Sequence, residues 1–283
     1  MFKKIAVIGV GLIGGSFALA CRKNCLAETI TGCGRSEENL KKGVELGVID
    51  DYSTDVREAV KGADLIFLST PLLAMEGLLK KIAPLLSGHT VLTDGGSAKA
   101  ELVKLANRLF PKGNFVGGHP IAGTEKSGVE VASDSLFEGA KSILTPTPET
   151  NPGALEKIKR LWSGIGSRVL IMDPATHDKL LAMVSHLPHV VAYALVNAVG
   201  QYEIPEVDVI SLTGGGFKDF TRIASSHPVM WRDICLQNKE NLLEVIEIFQ
   251  EQLTALKNHI QTGNQTDLES DFARAKRLRE SLI

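Results

Sequence analysis

The sequence predicts an α/β fold: an N-terminal, doubly wound, mostly parallel sheet of Rossmann type, followed by an all-α C-terminal domain. Three observations carry this expectation. Short apolar runs alternate with helical patterns through the first half of the chain. A glycine-spaced GVGLIG, residues 9–14, follows the first apolar run directly and opens a helix. Beyond Asp173-Pro174 the apolar period is helical, with no convincing strand pattern.

The elements follow in order. Residues 4–8 form the first strand and 14–23 its helix; 29–32 form the second strand, with a helix over 37–46. Residues 65–68, 90–93, 114–116, 142–144 and 168–171 supply further strands, and helical patterns over 72–86, 98–109 and 152–164 separate several of them. Long apolar-periodic segments over 189–202 and 228–259 belong to the second domain. With 283 residues the chain has room for about two domains. The expected division is a dinucleotide-binding domain over 1–173 and an all-helical domain over 174–283.

With 44% hydrophobic and 23% charged residues the chain has ample core material, and its net charge of −2, with scattered Lys and Arg, gives no reason to expect nucleic acid or a membrane surface as partner. The N-terminal 21 residues superficially resemble a secretory signal. Three spaced glycines interrupt the apolar run, however, and a nucleotide-binding pattern continues from it, so a cytoplasmic protein is expected. No other segment reads as long and apolar enough to span a bilayer. Cys21, Cys25, Cys33 and Cys235 form no disulfide framework and have no zinc-ligand company. They are expected to be reduced and packed, with Cys21 and Cys25 one turn apart on a helix, and no metal site is expected.

Function is written in the loops at the strand ends. Gly9 suits a tight turn, Gly11 lets the backbone approach a pyrophosphate, and Gly14 lets helix and strand pack closely. The amides around Leu12 and Ile13 would face the phosphates at the positive helix end. The second strand ends in Gly34-Arg35-Ser36, without the acid that usually accepts the ribose hydroxyls of NAD. Arg35 offers a fork of donors to a 2′-phosphate and Ser36 a hydroxyl, so NADP is expected to be preferred, with NAD possible. Arg35 also fits a solvated loop. Ser69, Thr70 and Pro71 end another strand and suit either cofactor contact or a plain loop with a helix-starting proline. Ser97, in DGGSAK, suits either a helix cap or a polar link between nicotinamide and His119. His119 lies in GGHPIAGTEKSG, residues 117–128, which reads as a constrained loop.

Taken together, GVGLIGGS, DGGSAK, GGHPIAGTEKSG, SHLPHVVAYAL and GGGFKDFTRIA give a chain that resembles the prephenate/arogenate dehydrogenases of tyrosine biosynthesis, from Ala6 to about Asp233. The first motif is generic to oxidoreductases; the last three, in this order, are specific. The resemblance implies an NAD(P)-dependent oxidative decarboxylation. A hydride leaves the ring carbon bearing the hydroxyl, carbon dioxide departs and the ring becomes aromatic. It also implies a homodimer joined through the helical domain; with the first strand opening the chain and the helical region closing it, the fused chorismate mutase and added regulatory domain of some relatives are not expected. His119 matches the family's catalytic histidine, and neutral imidazole suits acceptance of the hydroxyl proton. Ser97 matches the serine sharing its hydrogen-bond network.

By the same resemblance His189 contacts substrate, in a segment opening at Ser185 and His186, where Pro188 suits a helix start and a positive helix end would meet a carboxylate. Arg222 matches the arginine that grips a substrate carboxylate, with Asp219 expected to orient it, Gly215 allowing close approach of the loop, and Lys218 paired with Glu125. Trp231 matches a family position but equally suits the core. Three other readings compete, of which a purely structural helical dimer ignores the nucleotide cradle and is the weakest. Hydroxy-acid dehydrogenases of the 6-phosphogluconate type depend on a lysine in the helical part, and only Lys218 lies in a comparable glycine-rich motif. A non-catalytic NADP-binding sensor would form no NADPH from either substrate.

Overall fold

The computed structural model describes residues 2–86 and 88–282. Its strands are β1 (Phe2–Ile8), β2 (Ala27–Cys33), β3 (Asp51–Ser53), β4 (Leu65–Leu68), β5 (Val91–Asp94), β6 (Phe115–Ile121), β7 (Lys141–Thr145) and β8 (Arg168–Ile171). The helices are α1 (Leu12–Lys23), α2 (Glu37–Glu45), α3 (Val56–Ala59), α4 (Leu72–Ile82), α5 (Ala100–Leu109), α6 (Pro152–Gly164), α7 (Pro174–Leu181), α8 (Leu187–Gly200), α9 (Gly215–Thr221), α10 (Pro228–Gln237), α11 (Lys239–Thr262) and α12 (Gln265–Glu280). The strands make one sheet in the order β3-β2-β1-β4-β5-β6-β7-β8, parallel except where β7 runs against β6. This is the doubly wound sheet and trailing helical region that the sequence predicts.

The central strands are apolar throughout because both faces are covered, as a parallel sheet requires. Their side chains alternate between two cores. Ile5, Val7, Leu65 and Phe67 face a cluster with Phe17 and Trp162, in which the Phe17 and Phe67 rings stack at 4.0 Å. Ala6, Ile8, Ile66 and Leu68 face the opposite cluster, with Met75, Leu79, Leu102 and Phe110. Each fully buried Leu, Ile or Phe contributes roughly 1.5–3 kcal/mol, so the sheet is a rigid platform for the loops at its C-terminal edge.

Several sequence expectations are corrected here. β3 and α3 lie between the second and third expected strands; Asp51–Ser53 is too short and polar to show a strand period. His119 is not on a loop: β6 runs through Gly117, Gly118, His119 and Pro120, buried throughout those four residues. The glycine pair serves close packing, since a Cβ on Gly118 would meet the Asp94 carbonyl oxygen at 2.7 Å, and one on Gly117 would collide with Thr145 Oγ1. α7, a π-helical turn at Ala182–His186 and α8 form one continuous helix. Pro188 therefore sits inside a helix; it has no N–H to donate, and the wider π turn immediately before it accommodates that loss. The segment over 228–259 is two helices, parted at Asn238. Cys25 is exposed beyond the end of α1, in left-handed backbone, rather than packed on it.

One further correction concerns apolar length. Pro174–Gly200, 27 residues, is long and apolar enough by length and composition to cross a membrane. Polar residues interrupt the apolar run in the sequence, and three of them, His177, Asp178 and His186, are buried.

The chain forms two compact units, Met1–Lys239 and Glu240–Ile283. The second holds nearly all of α11 together with α12, reversed at Gly263 in left-handed backbone, with the Asn264 side chain accepting from Asp267 N at 3.2 Å.

Candidate active site

β1 ends at Ile8, and the chain turns at Gly9, whose φ of +101° is left-handed backbone that favours glycine. A Cβ there would meet Ser69 O at 2.6 Å, and one on Gly14 would collide with Gly9 O and Ser69 Oγ. Gly9 and Gly14 are thus fixed by the fold itself. Gly11 is different: a Cβ on it would meet nothing within 4 Å. Gly11 caps α1 without a side-chain hydrogen bond, and no acid lies in the first turn. The result is a helix N-terminus with unpaired N–H groups, at Leu12 and Ile13, facing open space, a fit for an anionic pyrophosphate.

The neighbouring strand end completes the cradle. Ser69 Oγ donates to Gly9 O at 2.7 Å, while Thr70 Oγ1 is buried with no hydrogen-bond partner. Pro71 caps α4. Arg35 is exposed at the tip of β2, with no carboxylate before Glu37. Ser36 serves first as the N-cap of α2, accepting from Asn39 N at 3.2 Å, and Glu37 and Glu38 lie in that helix's first turn. These residues fit a nicotinamide dinucleotide on three counts: the open glycine, the uncapped helix and the orphaned threonine hydroxyl.

The loop after β5 joins the cradle to the histidine. A Cβ on Gly95 would lie 3.3 Å from Ile13 Cγ2, and Gly96 N donates to Asp94 Oδ2 at 2.8 Å. Asp94 and Lys99 form an ion pair with both side chains fully buried. Asp94 Oδ1 also accepts from Gly118 N at 3.0 Å, and Lys99 Nζ donates to Gly118 O at 2.9 Å. Burial pulls the Lys99 pKa down and the Asp94 charge opposes that pull. The pair clamps the backbone immediately before His119. Ser97 is half-buried on this loop and does not cap α5; that helix's first N–H groups donate instead to Asp178, from Lys99 N to Oδ1 at 2.7 Å and Ala100 N to Oδ2 at 2.8 Å.

His119 is 8% exposed. Its described ring partner is His177 rather than Ser97, with Nδ1 2.8 Å from His177 Nε2. His177 Nδ1 lies 2.7 Å from Asp178 Oδ1. Burial, then the nearby His177, Lys99 and His186, hold the His119 pKa well below the ordinary imidazole value. Burial likewise lowers His177 and brings His186 to about 4. His119 is therefore neutral at pH 7, the state a proton acceptor needs. The sequence reading missed His177 and Asp178. The available signal was Asp173-Pro174, a helix start that puts His177 in the first turn; the Asp173 side chain indeed accepts from Thr176 N.

His189 lies inside the continuous helix, not at a free positive helix end, and its Nδ1 is 2.9 Å from the Ser185 carbonyl oxygen. Its ring stacks on Trp231 at 3.6 Å and 21°. Burial lowers its pKa, and the Arg222 charge lowers it further. Arg222, just past α9, is exposed and donates from Nη1 to Glu125 Oε2 at 3.0 Å. Glu125 thus pairs with Arg222, not with Lys218, and occupies the orienting role expected of Asp219. Lys218 lies mid-helix in α9, whereas Arg222 is its C-cap and meets Glu125 on the loop that follows β6. Gly215 is exposed at the first position of α9.

Comparison with known proteins follows the same outline. The nucleotide-binding domain of prephenate dehydrogenase matches residues 17–171, beginning after the glycine turn, and the prephenate dehydrogenase dimerization domain matches residues 173–274. A prephenate dehydrogenase of Bacillus subtilis is 38% identical over 280 residues, 98% of this chain and 76% of the relative. A cyclohexadienyl dehydrogenase of Zymomonas mobilis is 35% identical over 283 residues, 100% of this chain and 97% of the relative. Among solved structures, prephenate dehydrogenase from Aquifex aeolicus in complex with hydroxyphenyl propionate and NAD+ superposes with a TM-score of 0.95 at 42% identity, covering 100% of this chain and 99% of that one. Synechocystis arogenate dehydrogenase gives 0.81 at 29% identity, covering 99% and 100%. An open phosphate cradle beside a buried neutral histidine, on a chain matched along nearly its whole length, identifies an enzyme: this chain belongs to the prephenate/arogenate dehydrogenase family of oxidoreductases.

Proposed function

We propose that the protein catalyses the NADP-dependent oxidative decarboxylation of prephenate to 4-hydroxyphenylpyruvate, of arogenate to tyrosine, or of both, with His119 as proton acceptor. The observation that carries this reading is the neutral, buried His119 clamped beside a loop that packs on Ile13 of the phosphate cradle.

Gly9, Gly11, Leu12, Ile13 and Gly14 hold the pyrophosphate, and Ser69, Thr70 and Pro71 line the same strand-end crevice. Arg35 and Ser36 receive the 2′-phosphate, supported by the absence of an acid at the tip of β2; NAD also enters. When bound, the nicotinamide supplies the hydride acceptor. His119 takes the hydroxyl proton as the carbon beside it is oxidised. Loss of carbon dioxide then returns an electron pair to that oxygen, and His119 gives the proton back, so no proton is consumed overall. Ser97, half-buried between cradle and histidine, holds the reacting hydroxyl in line. Arg222 grips a substrate carboxylate, which takes the place of Glu125 on the guanidinium fork, and His189, Ser185 and Gly215 line the same side.

The division at residue 173 into a nucleotide domain over 1–173 and a substrate and dimerisation domain over 174–283 is supported by the last strand ending at Ile171 and by the matched ranges. A homodimer is supported by exposed apolar side chains in the helical part, among them Val184, Leu212, Phe220, Ile260 and Phe272. The cytoplasm is the compartment where such substrates and reduced thiols coexist. Steady-state rates of reduced-nicotinamide formation, with prephenate and arogenate each paired with NADP and NAD, test the reading. It predicts turnover on at least one substrate and a higher kcat/KM for NADP. No turnover on either rejects the activity, and a higher kcat/KM for NAD rejects the cofactor assignment.

A further inference from the structure

Two neighbouring groups outside the cradle, Asp178 and His177, form a hydrogen-bonded chain to the His119 ring. Asp178 sits at the N-terminus of α5, where both carboxylate oxygens receive backbone N–H groups, at 2.7 Å from Lys99 N and 2.8 Å from Ala100 N. That setting selects an acceptor-only carboxylate. The Asp178 backbone is held as well, its carbonyl accepting from Asn238 Nδ2 at 2.7 Å. His177 Nδ1 lies 2.7 Å from Asp178 Oδ1, so it must carry a proton; a bare lone pair there would face a second acceptor. A neutral imidazole has one N–H, so His177 Nε2 is an acceptor. It lies 2.8 Å from His119 Nδ1, which must then be the donor. The same logic leaves Nε2 of neutral His119 without a proton.

We propose that Asp178 and His177 are positioning residues that lock His119 in the tautomer whose Nε2 is free to take the substrate's hydroxyl proton. This rests on the base role proposed for His119 and deepens it. The reversed polarity would put a proton on Nε2 and leave no acceptor for the hydroxyl. When the proton arrives at Nε2, the Nδ1–H bond to His177 becomes charge-assisted, so the relay stabilises the cation as it forms. The O–H bond breaks, the N–H bond forms at Nε2, and the O–H electron pair becomes the second bond of the carbonyl, while the carbon's hydride goes to the nicotinamide. No proton moves along the relay itself. Burial holds His119, His177 and His186 neutral, with Lys99 and Asp94 the other charged groups nearby, which keeps the donor sequence intact at pH 7.

Two-bond ¹H–¹⁵N correlation spectra of the histidine-labelled protein report each ring's tautomer, with His119 assigned by its loss in His119→Asn. The expected result is a proton on Nδ1 of both His119 and His177. Asp178→Asn removes the charge that fixes the proton on His177 Nδ1 and leaves one oxygen for donors that two oxygens took before. The reversed tautomer of both rings should then become populated, and kcat should fall by about tenfold or more while KM stays within about threefold. Because Asp178 also caps α5, His177 gives an independent pair of variants. His177→Gln keeps an oxygen able to accept from His119 Nδ1–H and should retain kcat within about tenfold. His177→Leu has no acceptor and should fall with Asp178→Asn. A proton on Nε2 of His119 in the wild type, or wild-type kcat in His177→Leu, overturns the relay. A wild-type rate in His119→Asn rejects the base assignment itself, whereas a slow His119→Asn together with a protonated His119 Nε2 in the wild type rejects only the relay.

Discussion

Replacing Asp94 by Asn tests the clamp beside His119 most severely. The side chains of Asp94 and Lys99 are both fully buried, and Asp94 also takes N–H groups from Gly96 and Gly118. Asparagine matches the carboxylate in size but removes the charge, leaving the Lys99 ammonium without a counter-ion out of reach of water. Breaking one partner of a buried pair costs about 3–5 kcal/mol. At roughly 2–4 °C per kcal/mol for a chain of this class, the thermal midpoint should fall by roughly 10 °C. Lys99→Met should cost a similar amount, because it strands the Asp94 charge and the Gly118 carbonyl together. The double variant Asp94→Asn/Lys99→Met removes both charges and should lose clearly less than the sum of the singles. Thermal and urea unfolding of the four proteins, followed by circular dichroism, measure this. Single variants within about 1 kcal/mol of wild type, or a strictly additive double, would refute the argument that the charges offset each other.

Three shorter predictions follow from the same geometry. Gly11→Ala should leave the thermal midpoint nearly unchanged, because its Cβ meets nothing, yet weaken NADP binding at least about tenfold, while Gly14→Ala should lose stability through collision with Gly9 O; calorimetric titration and melting curves separate the two, and unimpaired binding by Gly11→Ala would remove the cradle's role. Arg222→Ala should raise the KM for substrate at least about tenfold, the scale of a charged hydrogen bond, and an unchanged KM would sink its assignment. Stability should also fall in acid. His186 is held neutral, with its folded pKa depressed to about 4, so its contribution is complete above the unfolded value near 6.5 and is lost as pH falls from there toward 4. Urea unfolding at pH 7 and pH 5 should show the drop, and His186→Gln should reduce it; equal stability at both pH values would contradict it.

Much of the fold is legible in the sequence because parallel strands buried on both faces are written as uninterrupted apolar runs, as in Leu65–Leu68. Strands with other jobs are less visible. β3 is one exposed and two half-buried residues, and β6 runs through a glycine pair because close packing against Asp94 and Thr145 excludes side chains there. The same cause hid His119's surroundings: glycine read as flexibility where it meant proximity. The cradle was legible because phosphate binding needs glycine at fixed spacing. Contacts between distant segments were not. His177, 58 residues from His119, and Arg222, 97 residues from Glu125, meet only once the helical segments pack against the sheet edge. A motif can locate a residue; its partner is set by tertiary structure.

The central claim is that His119 takes the hydroxyl proton, and the most direct measurement is the turnover of His119→Asn with substrate and cofactor both saturating. Asparagine can still accept a hydrogen bond but is no base at neutral pH, so kcat should fall by about 10²–10⁴-fold while KM changes little. Turnover within a few-fold of the wild type, with unchanged folding, would contradict it.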